Sequence, residues 1–314
     1  METSEKNVRL KDIQVSAISR NPENPRLVFR TGELEELLES IRKYGVQVPI
    51  SVYEENDEFV LIDGERRWRC SKKLGRPTIP ALVQGKPDAL ENLLLMFNIH
   101  ALREQWDLLT IALKLPQIIK LLTGTLTRTP NERELSEHTG LPRATIRRCK
   151  LLIELPDHYK DDILAELRKP KSSQKLTEDF FIEMERSLKT VERAMPSVIE
   201  DKEPIRQVLI EKFRNGTIKN RVNFRKLAKM ARVENVGGDK KRAEEAIKKV
   251  FVKNRVGIEE AYDSSVSQYY DERDLIKNID RTVDALSDIE LDELDEETKA
   301  SLQRLWQELK RIFS

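Results

Sequence analysis

From Leu61 to Arg69 the chain reads Leu-Ile-Asp-Gly-Glu-Arg-Arg-Trp-Arg. An apolar strand ends, Gly64 lets the backbone approach a ligand closely, and a helix opens with Arg66, Arg67 and Arg69. The free N–H groups of a helix start favour an anion, and arginine adds planar, bidentate donors suited to phosphate. On helical spacing Arg66 and Arg69 share a face while Arg67 points elsewhere. A nucleotide, or two anionic sites, therefore fits better than one group. The plain alternative is a charged surface helix with Trp68 in the core.

A second segment with chemistry in it is Glu132 to Leu151. With Gly140 as the turn, Leu135, Thr139, Leu141, Ile146 and Cys149 take the core positions of a helix-turn-helix. Asn131 and Glu134 have the spacing of a capping box, and Pro142 suits the start of the second helix. The outer face then carries Arg143, Ala144, Thr145, Arg147, Arg148 and Lys150. Arginines there can read guanine and lysine can hold phosphate; a basic face on an ordinary helical domain is the alternative. Asn220–Arg232 is a further basic helix that either contacts phosphates or packs through Val222, Leu227 and Met230.

These segments need elements to hold them. Leu34, Leu37, Leu38 and Ile41 fill the template of an amphipathic helix, with Gly45 as its C-cap. β-Branched runs at Val48–Tyr53, Phe59–Ile62 and Ile79–Val83 predict strands, and a helix is expected from Glu65 to about Leu74. Beyond about Pro87 helical patterns cover 88–101, 107–122, 131–139 and 143–153, then much of 160–254, with breaks expected at Pro116, Gly124 and Pro204 among others. Arg168–Lys175 is polar and reads as a linker. Near the end, Leu302, Leu305, Trp306 and Leu309, with Phe313 one turn on, form a helical face that either pairs with another chain or docks on its own core. The fold class is α+β: a small α/β domain over 1–100, an all-helical helix-turn-helix domain over 101–170, and a charged helical C-terminal region over 171–314 that could dimerise.

Composition narrows the function classes. The chain has 314 residues, 35% of them charged, which favours a helix-rich fold with modest cores. Its start is polar, so no secretory leader is expected, and no apolar run has the length of a membrane span. Cys70 and Cys149 are too few for a disulfide framework, which points to a reducing cytoplasm. His100, His138 and His158 are scattered and match no zinc spacing, so no metal site is expected. The net charge of +1 hides a segregation. From Lys212 to Arg255 there are 15 Lys/Arg against 4 Asp/Glu, and from Val256 to Ala300 there are 4 against 15. A basic surface for an anionic partner, followed by an acidic segment able to cover it, accounts for that pattern, as do two solvated faces.

Gly64-Glu65-Arg66-Arg67-Trp68-Arg69 resembles the most diagnostic box of the ParB/RepB family of partition proteins. Asn21-Pro22-Glu23-Asn24-Pro25-Arg26, the helix Leu34–Tyr44 followed by Gly45-Val46-Gln47-Val48-Pro49-Ile50, and Ile79–Val83 fall in family order, over about residues 8–155. The resemblance implies a CTP pocket, with Gly45, Gly64, Glu65, Arg66, Arg67 and Asn98 as nucleotide-binding candidates. It departs from the family at two places: Val48, not glutamine, precedes Pro49, and Phe97-Asn98-Ile99-His100-Ala101 puts phenylalanine where the family has the acid tied to metal and hydrolysis. A phenyl ring cannot ligate Mg²⁺, so CTP hydrolysis and a Mg²⁺ cofactor stay open; Glu91-Asn92 is an alternative alignment. The expected protein is a homodimer on double-stranded DNA, nucleoid- or plasmid-associated, with a ParA-like ATPase as a family-implied partner and no membrane. The alternative is a helix-turn-helix transcriptional regulator on the same scaffold without nucleotide control. A nuclease would need a carboxylate or histidine cluster that the sequence lacks. Arg103-Glu104-Gln105-Trp106-Asp107 reads as a helix junction anchored by Trp106.

Overall fold

A computed structural model describes residues 8–24, 31–56, 58–100, 106–253, 255–287 and 294–313, without the side chains of 31–33 and 98–100. Pro25, Arg26, residues 103–105 and the side chain of Asn98 thus lie outside the described residues. The chain divides into two compact units at residue 186.

The first unit opens with a five-stranded sheet: β1 (Arg9–Gln14), β2 (Ile18–Ser19), β3 (Ile50–Glu55), β4 (Glu58–Asp63) and β5 (Thr78–Gln84), in the order β1-β5-β3-β4-β2. The β3 and β5 strands run parallel, in register from Ile50 opposite Ala81, while β3–β4 and β1–β5 are antiparallel. Ile50, Val52, Leu61, Ile79 and Ala81 bury one face against Trp68. That is the inward half of the period-2 pattern of each strand. Helix α1 (Thr31–Tyr44) buries Leu38 and Ile41 against Cys70 of α2 (Glu65–Lys73). The predicted strands and these two helices are present within a few residues of their expected bounds. The edge strands β1 and β2 are additions to that expectation: Arg-Leu-Lys-Asp-Ile-Gln has a weak alternation and exposes all but Ile13.

Helices follow: α3 (Ala89–His100), α4 (Leu108–Leu126), α5 (Glu132–Thr139), α6 (Arg143–Ile153), α7 (Asp157–Leu167) and α8 (Glu178–Ala194). The breaks expected at Pro116 and Gly124 are absent, since α4 runs through both and buries Leu115 and Ile118 on either side of the proline. Packing overrides a proline whose cost is about 3 kcal/mol. At 19 residues α4 is long and apolar enough to cross a membrane, but its apolar face is buried within this unit and packs against α6. The segment read as a linker, 168–175, lies inside the first unit. The Glu166 carboxylate accepts from Lys175 N–H and from the Lys169 ammonium, tying α7 to the approach to α8. The division instead falls inside α8, where a helix carries the chain with no change in polarity to announce it.

The second unit contains α9 (Lys202–Arg214), α10 (Phe224–Ala231), α11 (Lys240–Val250), α12 (Ile258–Ser265), α13 (Ser267–Ser287) and α14 (Glu296–Phe313). Phe224, Leu227, Met230, Ile247, Val250 and Ile258 form its interior. Lys212 is buried there, its ammonium donating to the carbonyls of Val250 and Val256 at 2.7 and 2.8 Å. Pro204 does not break α9, because it sits in the first turn, where no intrahelical N–H is lost. Helices α13 and α14 have no buried residue. Of the three residues through which the 220–232 segment could pack, Leu227 and Met230 are buried and Val222 is exposed.

Candidate functional site

Gly64 adopts φ +96°, and a Cβ there would stand 2.5 Å from Ile50 Cγ2. Only glycine can turn the chain from β4 into α2 in that space. The first N–H groups of α2 have no intrahelical partner, and they open beside a cluster of guanidinium groups. Glu65, 6% exposed, gathers them. Its Oε1 accepts from Arg20 Nε at 2.8 Å and Arg69 Nη2 at 2.6 Å, and its Oε2 from the Asn24 amide at 2.5 Å. Arg66 is half-buried on the same helix start.

Arg67 has a different task. Its Nη1 donates to the carbonyls of Val48 and Pro49 at 2.6 Å each, and its Nη2 to Asp63 at 2.8 Å. It braces the loop before β3. The loop begins at Gly45, which takes φ +76° and closes α1 through its N–H to Ile41 O at 2.9 Å. Arg76 donates to the same carbonyl at 2.7 Å. The structure thus brings Gly45, Gly64, Glu65, Arg66 and Arg67 to the end of the sheet where α2 begins. Asn98 is the remaining candidate, and α3 carries it, but its side chain is outside the described residues. Three guanidinium groups (Arg20, Arg67 and Arg69) stand against the carboxylates of Asp63 and Glu65, with Arg66 on the same helix start, a donor set that fits a polyanionic ligand.

Sequence reasoning does not mark Arg20 for this role, and it reaches Asn92 only through the alternative Glu91-Asn92 alignment. Asn92 and the Asn21 amide share a buried hydrogen bond at 3.1 Å, and Glu23 accepts from Gln117 at 2.7 Å and Lys114 at 3.1 Å on α4. The Gln117 amide and the Lys114 ammonium hold the Glu23 carboxyl below its usual range against desolvation. The segment 20–24 therefore touches α2, α3 and α4 at once. Phe97 is fully buried and meets Trp106 edge-on at 5.4 Å. It is a core residue, and Trp106 is buried beside it. Among the described residues no three His, Cys, Asp or Glu side chains gather in a group able to hold a metal.

The helix-turn-helix takes the expected register. Asn131 accepts from the N–H groups of Arg133 and Glu134, and Glu134 accepts from Asn131 N–H, a complete capping box. The Arg128 guanidinium and that N–H hold the Glu134 carboxyl down at about 2. Gly140 ends α5 at φ +72°. Leu135, Thr139, Leu141, Ile146 and Cys149 are all buried, and burial pushes the Cys149 thiol up to about 12. Arg143 and Ala144 are exposed and Thr145 half-exposed. Arg147 and Lys150 lean on Glu132 of α5 at 3.3 and 3.4 Å. Arg148 turns to Asp179 at 2.5 Å, a partner 31 residues away that no local pattern marks. Behind it Glu178 accepts Leu109 N–H at 2.6 Å, and desolvation raises its carboxyl to about 7.

Residues 1–97 match the model of the ParB N-terminal domain, and the boxes that carry the resemblance are the ones that build this site. The chain's first 97 residues are ParB-like. A probable chromosome-partitioning protein ParB of Helicobacter pylori is 31% identical over 159 residues, covering 50% of this chain and 52% of that protein. The chain thus spans about half the length of that relative. A nucleoid occlusion protein of Bacillus cereus is 26% identical over 212 residues, covering 63% of this chain and 70% of that protein. The Pnob8-like ParB-N domain covers 80% of this chain at a TM-score of 0.51 and 16% identity, a likeness of fold alone.

Proposed function

We propose that this ParB-like chain is a sequence-specific partition protein of plasmid or chromosome, whose grip on double-stranded DNA is coupled to CTP. One observation carries the reading: the unit whose first 97 residues match the ParB N-terminal domain holds both the Gly64–Arg69 helix start and a helix-turn-helix with an exposed basic face. Arg66, Arg69 and the first N–H groups of α2 would hold the phosphates. Arg143 and Arg147 would read base edges, Thr145 and Lys150 would meet the backbone, and Ala144 would leave room for the approach. Arg148 would position α6 through Asp179.

Coupling has a material basis in segment 20–24, which contacts α2 through Asn24 and α4 through Glu23, while α4 packs on α6. CTP shifts such an equilibrium only by binding one state better than the other. Homodimerisation is supported by two apolar seams at 3-4-3 spacing, none of whose residues is buried: Ile276, Ile279, Val283 and Leu286 on α13, and Leu302, Leu305, Leu309 and Ile312 on α14. That is the spacing of a coiled-coil face. Hydrolysis finds no support at position 97, where a buried phenyl ring replaces an oxygen ligand.

A second reading, a DNA-binding regulator without nucleotide control, is favoured by Arg67. Its donors are committed to Val48, Pro49 and Asp63, so embracing a phosphate would break the loop brace. Titration calorimetry with CTP, GTP, ATP and UTP, with and without Mg²⁺ and DNA, decides between the two. Selective CTP binding that is lost in Arg66→Ala is the expected result. No heat with any nucleotide from folded protein would leave the regulator.

A further inference from the structure

Nothing in the proposed CTP pocket or helix-turn-helix uses the open edge of the sheet. Strand β1 stands there, paired among the described strands only with β5. Beyond its end Val15 N–H donates to Pro77 O at 3.0 Å, so that residue bonds inward. Antiparallel pairs bond at every second residue, which places Arg9, Lys11 and Ile13 in the inward set as well. Leu10 and Asp12 therefore turn their N–H and C=O groups to the free edge, and both residues are exposed. An edge of this kind is a template for another strand.

The side chains say which strand. Arg9 and Lys11 share one face of β1 and Leu10 takes the other, beside its register partner Leu82. The Lys11 ammonium lies 5.8 Å from the centroid of the Phe59 ring, a contact that fixes it without neutralising it. Leu10 and Leu82 are exposed apolar groups, and Asp12 ends their face. A second β1 does not fit. Antiparallel pairing centred on Leu10 or on Lys11 sets cation against cation, and like charges directly opposite destabilise a sheet. The strand that fits alternates acids with apolar residues. Segment 288–292 reads Asp-Ile-Glu-Leu-Asp, and 287–297 holds seven acids and no lysine or arginine. Residues 288–293 lie outside the described residues, but the helices on either side, α13 and α14, bury no residue in their own chain.

We propose that the β1 edge is a strand-addition site and that its occupant is segment 288–292 of a second copy of this chain. Main-chain bonds to Leu10 and Asp12 supply the affinity, and the alternating faces supply the register. Asp288, Glu290 and Asp292 then stand over Arg9 and Lys11, while Ile289 and Leu291 cover Leu10 and Leu82. A one-residue slip would turn every acid to the leucines. The edge shares no residue with the α2 helix start or with α6, so the proposal stands apart from nucleotide and DNA.

The test joins copies of the full chain through cysteines under mild oxidation, with Cys70 and Cys149 left buried. One copy carries Leu10→Cys and the other Ile289→Cys, Glu290→Cys or Leu291→Cys. Residues directly opposite one another have Cβ atoms about 4.5–5.5 Å apart, so position 289 or 291 should give a disulfide-linked dimer. Position 290, on the other face, should give about a tenth of that yield or less. Arg9→Glu with Lys11→Glu should cut the dimer about tenfold through lost and reversed charge pairs. Asp288→Lys, Glu290→Lys and Asp292→Lys in the partner copy should restore it. Circular dichroism confirms that each variant is folded. Equal yields at all three positions overturn the inference, as does no dimer in folded protein. Charge reversal without effect also overturns it and leaves Arg9 and Lys11 as guards of a bare edge. A disulfide confined to chains that carry both cysteines would overturn the second copy as occupant.

Discussion

Helices α2 and α6 each carry three arginines within a few residues, and the two sets are used in opposite ways. In α2 two of them turn back on the chain: Arg67 is bonded to two carbonyls and a carboxylate, and Arg69 shares the buried Glu65 with Arg20. In α6, Arg143 is exposed and Arg147 leans on a rim acid across 3.3 Å. The first set shapes a site whose own backbone can meet an anion. Of the second, Arg143 is open to solvent and Arg147 is parked on a pair that phosphate can displace, since exposed ion pairs are worth about 0–1 kcal/mol. A motif rich in arginine therefore says where anions are welcome; only the partners of each guanidinium say whether it binds or braces.

The largest expected effect comes from the α2 side. Gly64→Ala must bend a strained φ and push against Ile50, at a cost of about 3 kcal/mol. For a unit of this size that lowers Tm by about 6–12 °C. Differential scanning calorimetry reads it directly. The matching change on α6, Arg147→Ala, should leave Tm within about 2 °C. Equal shifts for both would erase the distinction between brace and reader.

A smaller effect separates the acids that serve these helices. Glu65 is buried among three donors, whereas desolvation raises Glu178 to about 7, with Leu109 N–H opposing and Asp107 and Asp179 adding to the rise. A carboxyl whose folded pKa lies above its unfolded value holds its proton more tightly in the folded state. Its contribution is present below the unfolded pKa near 4.5 and is lost as pH rises through about 7. Glu178→Gln removes that loss and keeps an oxygen for Leu109 N–H. Its stability relative to wild type should therefore grow between about pH 5 and pH 8 by about 1–3 kcal/mol, measured by urea unfolding at each pH. A difference that stays flat with pH would place the Glu178 carboxyl in water.

Much of the fold is legible in the sequence, for a physical reason. The strands β3, β4 and β5 and the helix-turn-helix carry strong local signals: β-branched runs, a capping box, a glycine with nowhere to put a Cβ. Arg20, Asn92 and Asp179 escape such a reading because their roles depend on contacts 45, 71 and 31 residues away in sequence, which no period reveals. The adjacency of Arg20 to the Asn21-Pro22 box is the one local hint. Pro116 and Pro204 mislead as helix breaks, since tertiary burial and a first-turn position each cancel the penalty that makes proline a breaker. Helix α13 is hard to see because its polar residues outnumber a seam that stays exposed within the chain.

The smallest expected effect is the sharpest test of what α6 does with its charges. Glu132 stands at the first turn of α5, where its carboxylate also favours the helix dipole, and it accepts from both Arg147 and Lys150 at 3.3 and 3.4 Å. If those cations are parked for DNA, Glu132 competes with phosphate for them. Glu132→Gln should then raise duplex affinity about threefold and steepen its salt dependence, while the loss of two exposed pairs and a favourable dipole interaction lowers Tm by no more than about 2 °C. Arg67 offers the contrast: Asp63→Asn loosens a brace, so it should lower Tm without any gain in DNA binding. Were Glu132→Gln to weaken the duplex instead, Glu132 would be orienting Arg147 for its contact, and α6 would resemble α2 in using its acids as positioning groups.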